Sequence, residues 1–187
     1  MLVDSHCHLN FPDFAEDLPE VIARAKASGV TVMQTICTRM KEFPEIRAIA
    51  DAYEDIYCSV GVHPNNVAET ELVTVEQLVE AAAHPKVIGL GETGLDYHYD
   101  APPELQKESF RRHIEASRRT GLPVIVHTRD ADEDTVAILK EEMAKGKFTG
   151  LIHCFTSTQW LAEECIALGM YISLSGILTF KNAIEIQ

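Results

Sequence analysis

A chain of 187 residues with 46% apolar and 24% charged residues has the make-up of a folded protein, which excludes a disordered polypeptide. No apolar run approaches the ~20 residues that cross a bilayer. The start Met1-Leu-Val-Asp-Ser-His6 has neither the basic segment nor the cleavage site of a signal peptide, so a cytoplasmic location without membrane contact is expected. The net charge of −13 excludes a broad basic surface for nucleic acid but leaves open a local site that gathers cations.

Apolar, β-branched runs alternate with segments of helical period along the whole chain. Strands are expected at Leu2–Ser5, Val30–Thr35, Ile56–Val62, Val87–Gly91, Val124–Val126, Leu151–Ile152 and Tyr171–Leu174. Helices are expected at Leu18–Lys26, Glu42–Tyr53, Val75–Ala83, Pro103–Arg119, Asp132–Lys145 and Gln159–Leu168, with Gly29, Gly121, Gly146 and Gly169 as stop signals. Thr74 with Gln77 has the spacing of a capping box, and Asp130 with Glu133 resembles one. Short apolar strands separated by helices imply an α/β fold with a parallel sheet covered on both faces.

No linker or shift in composition divides residues 1–187, so one domain is expected. The turn after the first strand, His6-Cys-His-Leu-Asn-Phe11, has no glycine to admit a dinucleotide phosphate, which favours a (β/α)8 TIM-type barrel over an open doubly wound sheet. Such a barrel takes ~250 residues. Seven units therefore leave the chain short of an eighth strand and of a C-terminal region. Gln187 is expected to lie in the helix after the seventh strand.

The informative residues follow the apolar runs. His6, His63, His127 and His153 stand at four of the seven expected strand ends, where random placement of the eight histidines would put roughly 0.3. Glu92 follows the fourth run. In a barrel these ends share one mouth, where active sites of this fold lie. His6 and His8 are two apart on an extended segment, so both imidazoles face one side while Cys7 faces away.

His6, His8, Glu92, His127 and His153 thus form a mixed nitrogen and oxygen set suited to divalent cations such as Zn²⁺, Mn²⁺ or Mg²⁺. Five ligands exceed the needs of one catalytic ion. Two ions bridged by Glu92 are the simpler reading. His63 stands open between a ligand, a supporting residue and a phosphate contact. His84, His98 and His113 read as surface residues, and Cys7, Cys58 and Cys154 as core filler. With an odd number of cysteines and no CxxC pair, neither a disulfide framework nor a zinc ribbon is indicated, and the thiols are expected to be reduced and mostly buried.

Six motifs in this order resemble the TatD family of metal-dependent deoxyribonucleases, within the amidohydrolase-like barrels. They are Asp4-Ser-His-Cys-His-Leu9, Gly61-Val-His-Pro64, Gly89-Leu-Gly-Glu-Thr-Gly-Leu-Asp-Tyr97, Pro123-Val-Ile-Val-His-Thr-Arg-Asp130, His153-Cys-Phe155 and Ser175-Gly-Ile-Leu-Thr-Phe-Lys-Asn182. The resemblance implies one ion on His6, His8 and Glu92 and another on Glu92, His127 and His153. It implies DNA as substrate and 3′-to-5′ exonucleolysis as the mode. It also implies an eighth strand ending in Glu-Thr-Asp, whose aspartate ligates metal and which this chain lacks.

Glu92 and His63 are the expected catalytic residues, with Arg129 and Asn65 as expected substrate contacts. Arg129 is open between a phosphate clamp and a surface ion pair with Asp130 or Asp132, and Tyr97 and Tyr99 between base stacking and local packing. A monomer is expected. Two other readings stand beside the nuclease: a related barrel hydrolase of cyclic amides or esters, disfavoured by Glu92 where such enzymes carry a modified lysine, and an inactive metal-binding scaffold.

Overall fold

A computed structural model describes residues 1–187. Strands β1 (Leu2–Cys7), β2 (Val30–Thr35), β3 (Ile56–Val60), β4 (Val87–Asp96), β5 (Val124–Arg129), β6 (Gly150–Ile152) and β7 (Tyr171–Ile172) pair in parallel in the order of the sequence. Between them lie α1 (Leu18–Ala27), α2 (Phe43–Ala52), α3 (Val75–Ala82), α4 (Pro103–Thr120), α5 (Asp132–Lys145) and α6 (Gln159–Ala167). Parallel neighbours require a crossover, and each helix supplies one.

The sheet is curled. His6 on β1 and His153 just after β6 are five strand spacings apart, which in a flat sheet would be about 24 Å. Their rings stack with centroids 3.7 Å apart. The seven strands thus form the greater part of a barrel wall, with β1 and β7 as its edges. Edge position explains why these two strands are not covered on both faces as expected: Leu2 and Val3 are 60% and 61% exposed and Tyr171 76%. The core falls into two clusters. One joins β1–β4 to α1–α3 around Ile46, Ile56 and Leu78; the other joins β4–β6 to α4–α6 around Phe110, Leu139 and Leu161.

Several boundaries differ from those expected. β4 runs on to Asp96 and β5 to Arg129, so Glu92 and His127 lie within strands rather than after them. The Thr74–Gln77 capping box forms, but Asp130–Glu133 does not: Ala131 precedes α5 without a side-chain cap, and Asp130 adopts a positive φ of 54°. Gly29, Gly121 and Gly169 end their helices with positive φ, whereas Gly146 is extended at 164°. After β7 there are only short 3₁₀ turns at Gly176–Thr179 and Ile184–Ile186 in place of the expected helix. Cys37, Cys58 and Cys165 are buried, Cys7 and Cys154 half-buried, and all five are free thiols. No helix is long and apolar enough to cross a membrane.

His113 is not on the surface. It is fully buried on α4, with Nδ1 2.8 Å from the Ser109 carbonyl and Nε2 accepting the Val62 N–H at 3.1 Å. It thereby ties α4 to the segment that leads into His63. Burial lowers its pKa to about 4, against a smaller upward pull from the Ser109 carbonyl. A folded pKa below the unfolded value of ~6.5 gives stability that is present above pH ~6.5 and lost as the pH falls toward 4. Urea unfolding at pH 7 and pH 4 should show the wild type losing about 3 kcal/mol more than His113→Gln; parallel losses would remove His113 from the account.

Candidate metal centre

The mouth of the curled sheet is built around one carboxylate. Glu92 is 3% exposed. It sits where the β4–β5 register shifts between Leu90 and Thr93, and His6 sits in a like shift between Asp4 and Cys7 in the β1–β2 ladder. Such bulges re-aim side chains, and here they serve the two strands that deliver Glu92 and its first imidazole. Glycine makes room beside them. A Cβ on Gly61 would lie 2.5 Å from the Gly91 Cα, and one on Gly94 would lie 2.0 Å from the His127 carbonyl oxygen.

Four imidazoles reach the Glu92 carboxylate. His6 Nε2 lies 3.3 Å from Oε2, while His127 Nδ1, His153 Nε2 and His63 Nε2 lie 3.0, 2.9 and 3.7 Å from Oε1. His8 joins His6 and Glu92 in a group whose ligand atoms are all within 4.8 Å of one another; His63, Glu92 and His127 form a second such group. Burial pushes the Glu92 carboxyl up, but hydrogen bonds from His127, His153 and His6 outweigh it and hold the group well below the usual carboxylate range. For His127, burial is likewise outweighed by the Glu92 contact, and its pKa is raised. Burial lowers His8 and His153, and takes His63 to about 4.

The donor set fits divalent cations. His6 Nδ1 and His8 Nδ1 are buried without a hydrogen-bond partner, and burial favours the neutral rings of His8, His63 and His153, so the cluster offers imidazole nitrogens beside an ionised carboxylate, the donor types that divalent cations take. Proximity alone does not make His63 a ligand. Its Nδ1 accepts the Asn65 N–H at 3.1 Å, so the neutral ring carries its proton on Nε2, the nitrogen that faces Glu92. That nitrogen is a donor. His153 Nε2 lies closer to the same Glu92 oxygen, at 2.9 Å, and no N–H group donates to its Nδ1, so its tautomer is not fixed as that of His63 is.

Asp96 went unremarked in the sequence. It is 1% exposed, and its Oδ2 lies 3.0 Å from His127 Nε2 and 3.2 Å from Asn65 Nδ2. Glu92, Gly94 and Asp96 alternate along β4, so a period-two reading carried past the glycines finds it. Arg129 is exposed on β5 and forms no ion pair with Asp130 or Asp132; its guanidinium carbon lies 5.4 Å from the Tyr99 ring centroid. Tyr97 packs locally, its hydroxyl hydrogen-bonded to Asp134.

A parallel α/β barrel wall with a carboxylate-centred cluster of imidazoles at its strand ends is the architecture of a metal-dependent hydrolase. The family described as TatD related DNase matches residues 3–187, and the chain belongs to that family. It is 41% identical over 184 residues to the "Uncharacterized metal-dependent hydrolase YabD" of Bacillus subtilis, covering 98% of this chain and 72% of that protein. It is 31% identical over 176 residues to the "3'-5' ssDNA/RNA exonuclease TatD" of Escherichia fergusonii, covering 94% of this chain and 67% of that one. The crystal structure of YJJV, a TatD homolog from Escherichia coli K12, superposes with a TM-score of 0.87 at 31% identity, covering 96% of this chain and 70% of that structure.

Proposed function

We propose that residues 1–187 form one domain of a divalent-metal-dependent phosphodiesterase that shortens DNA from its 3′ end. The observation that carries this reading is the convergence of His6, His63, His127 and His153 on the buried carboxylate of Glu92. His6, His8 and Glu92 would hold one divalent cation, and Glu92, His127 and His153 a second. Bound there, two cations supply Lewis acidity toward a phosphoryl oxygen and local positive charge that draws phosphate to a protein of net charge −13.

The chain's own groups do the rest. Glu92 holds four imidazoles in one orientation and presents both oxygens between the two ligand groups. His63, neutral at pH 7 with its proton on Nε2, donates a hydrogen bond to a phosphate oxygen. Asn65 has its amide nitrogen on Asp96, and its buried Oδ1 has no partner. That acceptor suits a hydroxyl or water better than a phosphate oxygen. Arg129 falls on the same face of β5 as His127, two residues on, and clamps the phosphate of the neighbouring nucleotide. Tyr99, 55% exposed beneath Arg129, offers a ring face to a base.

Single-stranded DNA labelled at either end tests the reading. The metal-loaded protein should release mononucleotides from the 3′ end, EDTA should stop the reaction, and Mn²⁺, Zn²⁺ or Mg²⁺ should restore it. Two equivalents of metal by mass spectrometry without cleavage would favour a scaffold, and faster turnover of a lactone or cyclic amide than of DNA would favour the other class of barrel hydrolase.

A further inference from the structure

Asp96 is a buried carboxylate whose one ionic contact is His127. It is held from several directions. Its backbone N–H donates to Gln106 Oε1 at 2.7 Å, its carbonyl accepts Gln106 Nε2 at 2.9 Å, and Gln106 is itself fully buried on α4. Its Oδ1 accepts the His98 N–H at 3.0 Å, and its Oδ2 receives Asn65 Nδ2 at 3.2 Å and faces His127 Nε2 at 3.0 Å. A carboxylate fixed in this way has no freedom to follow the imidazole. The imidazole must conform to it.

A carboxylate only accepts, so the His127 nitrogen facing it carries the proton. Nδ1 also faces a carboxylate, Glu92 Oε1 at 3.0 Å, but Glu92 belongs to both ligand groups and Asp96 to neither, so a cation can take the place of the proton between Nδ1 and Glu92 while the Nε2–H stays hydrogen-bonded to Asp96. We propose that Asp96 is a positioning residue that fixes the His127 ring and its tautomer, so that Nδ1 is the atom offered to a divalent cation shared with Glu92. The same carboxylate orients the Asn65 amide, and so sets two neighbouring groups of the mouth at once. This inference rests on the reading above that His127 is a ligand. Outer carboxylates that orient a ligating histidine change metal affinity by 10–100-fold in general.

The test is Mn²⁺ titration by calorimetry together with ¹⁵N histidine NMR of the Zn²⁺-loaded protein. Asp96→Asn presents a carboxamide to three donors, the His127, Asn65 and His98 N–H groups, and cannot accept from all of them. The expected result is a roughly 10–100-fold loss of affinity for one of two cations, the other staying within about twofold of wild type. The His127 signals should move from a single Nε2–H, Nδ1-bound form to a mixture. Asp96→Glu keeps an acceptor-only group and should recover part of the affinity; it also serves if Asp96→Asn does not fold.

Wild-type affinity at both sites in Asp96→Asn overturns the positioning role. So does His127 bound through Nε2 in the wild type. A parallel loss at both sites would mark Asp96 as a general structural residue and overturn it too. If the wild-type His127 ring binds no cation through either nitrogen, the ligand reading itself fails.

Discussion

Glu92→Gln is expected to lower DNA cleavage by roughly 10³-fold, the scale of removing a group that organises charge at a reacting centre, while leaving the protein folded. The amide has nearly the shape of the carboxylate, but its nitrogen is a donor. Turned toward Oε1's place, it would face His127 Nδ1, His153 Nε2 and His63 Nε2; turned toward Oε2's place, it would face His6 Nε2. Either way the group loses the negative charge that both ligand sets share. The measurement pairs single-turnover cleavage with metal content after gel filtration. The variant should retain less than one equivalent where the wild type retains two. Cleavage within tenfold of wild type would remove Glu92 from the centre of the mechanism.

Gly94→Ala is expected to be the most destabilising single methyl in the sheet, at about 3–5 kcal/mol. Gly94 pairs with His127 in the β4–β5 ladder, and its φ of 132° is one that L side chains rarely adopt. The added Cβ would lie 2.0 Å from the His127 carbonyl oxygen, which is backbone and cannot swing away. Relief requires β4 and β5 to separate, and that separation pulls His127 from Glu92 and Asp96 together. A fall in Tm of about 10 °C with loss of divalent-cation binding is the expected outcome. A Tm within 2–3 °C of wild type would mean that the ladder yields more easily than this contact implies.

Much of the fold was legible because hydrophobic period and helix punctuation agree. β2 at Val30–Thr35 and α5 at Asp132–Lys145 fall where the sequence puts them. The histidines were legible for a topological reason: a parallel sheet sends every strand end to the same side, so residues 147 positions apart such as His6 and His153 can be read as neighbours. Family membership followed from the same residues. Asp96 was missed because the apolar run that marks the strand ends at Gly91, whereas β4 continues through Gly94, where backbone presses close, to Asp96.

His113 was misplaced for a different reason. The helix from Pro103 to Thr120 is polar on average, but Gln106, Ser109, Phe110, His113, Ile114 and Ser117 form one buried stripe at helical spacing. A histidine on that stripe is a core residue whose two nitrogens find backbone partners. The part of the sequence after β7 carries no comparable period, and it forms 3₁₀ turns. Arg129 does not form the ion pair that its acidic neighbours Asp130 and Asp132 suggest, and its guanidinium lies by the Tyr99 ring instead.

The curl that stacks His6 on His153 also ties the ligand set to the chain entropy of the whole sheet. Those two rings are held together through every ladder from β1 to β6, since each strand is paired with its neighbours in sequence order. The loop that the two rings close is among the longest the chain can make, and its closure entropy is offset by the ladders between them rather than by the ring contact alone. The full ligand set therefore exists only in a sheet that is complete from β1 to β6, and a cation held by it stabilises that finished sheet.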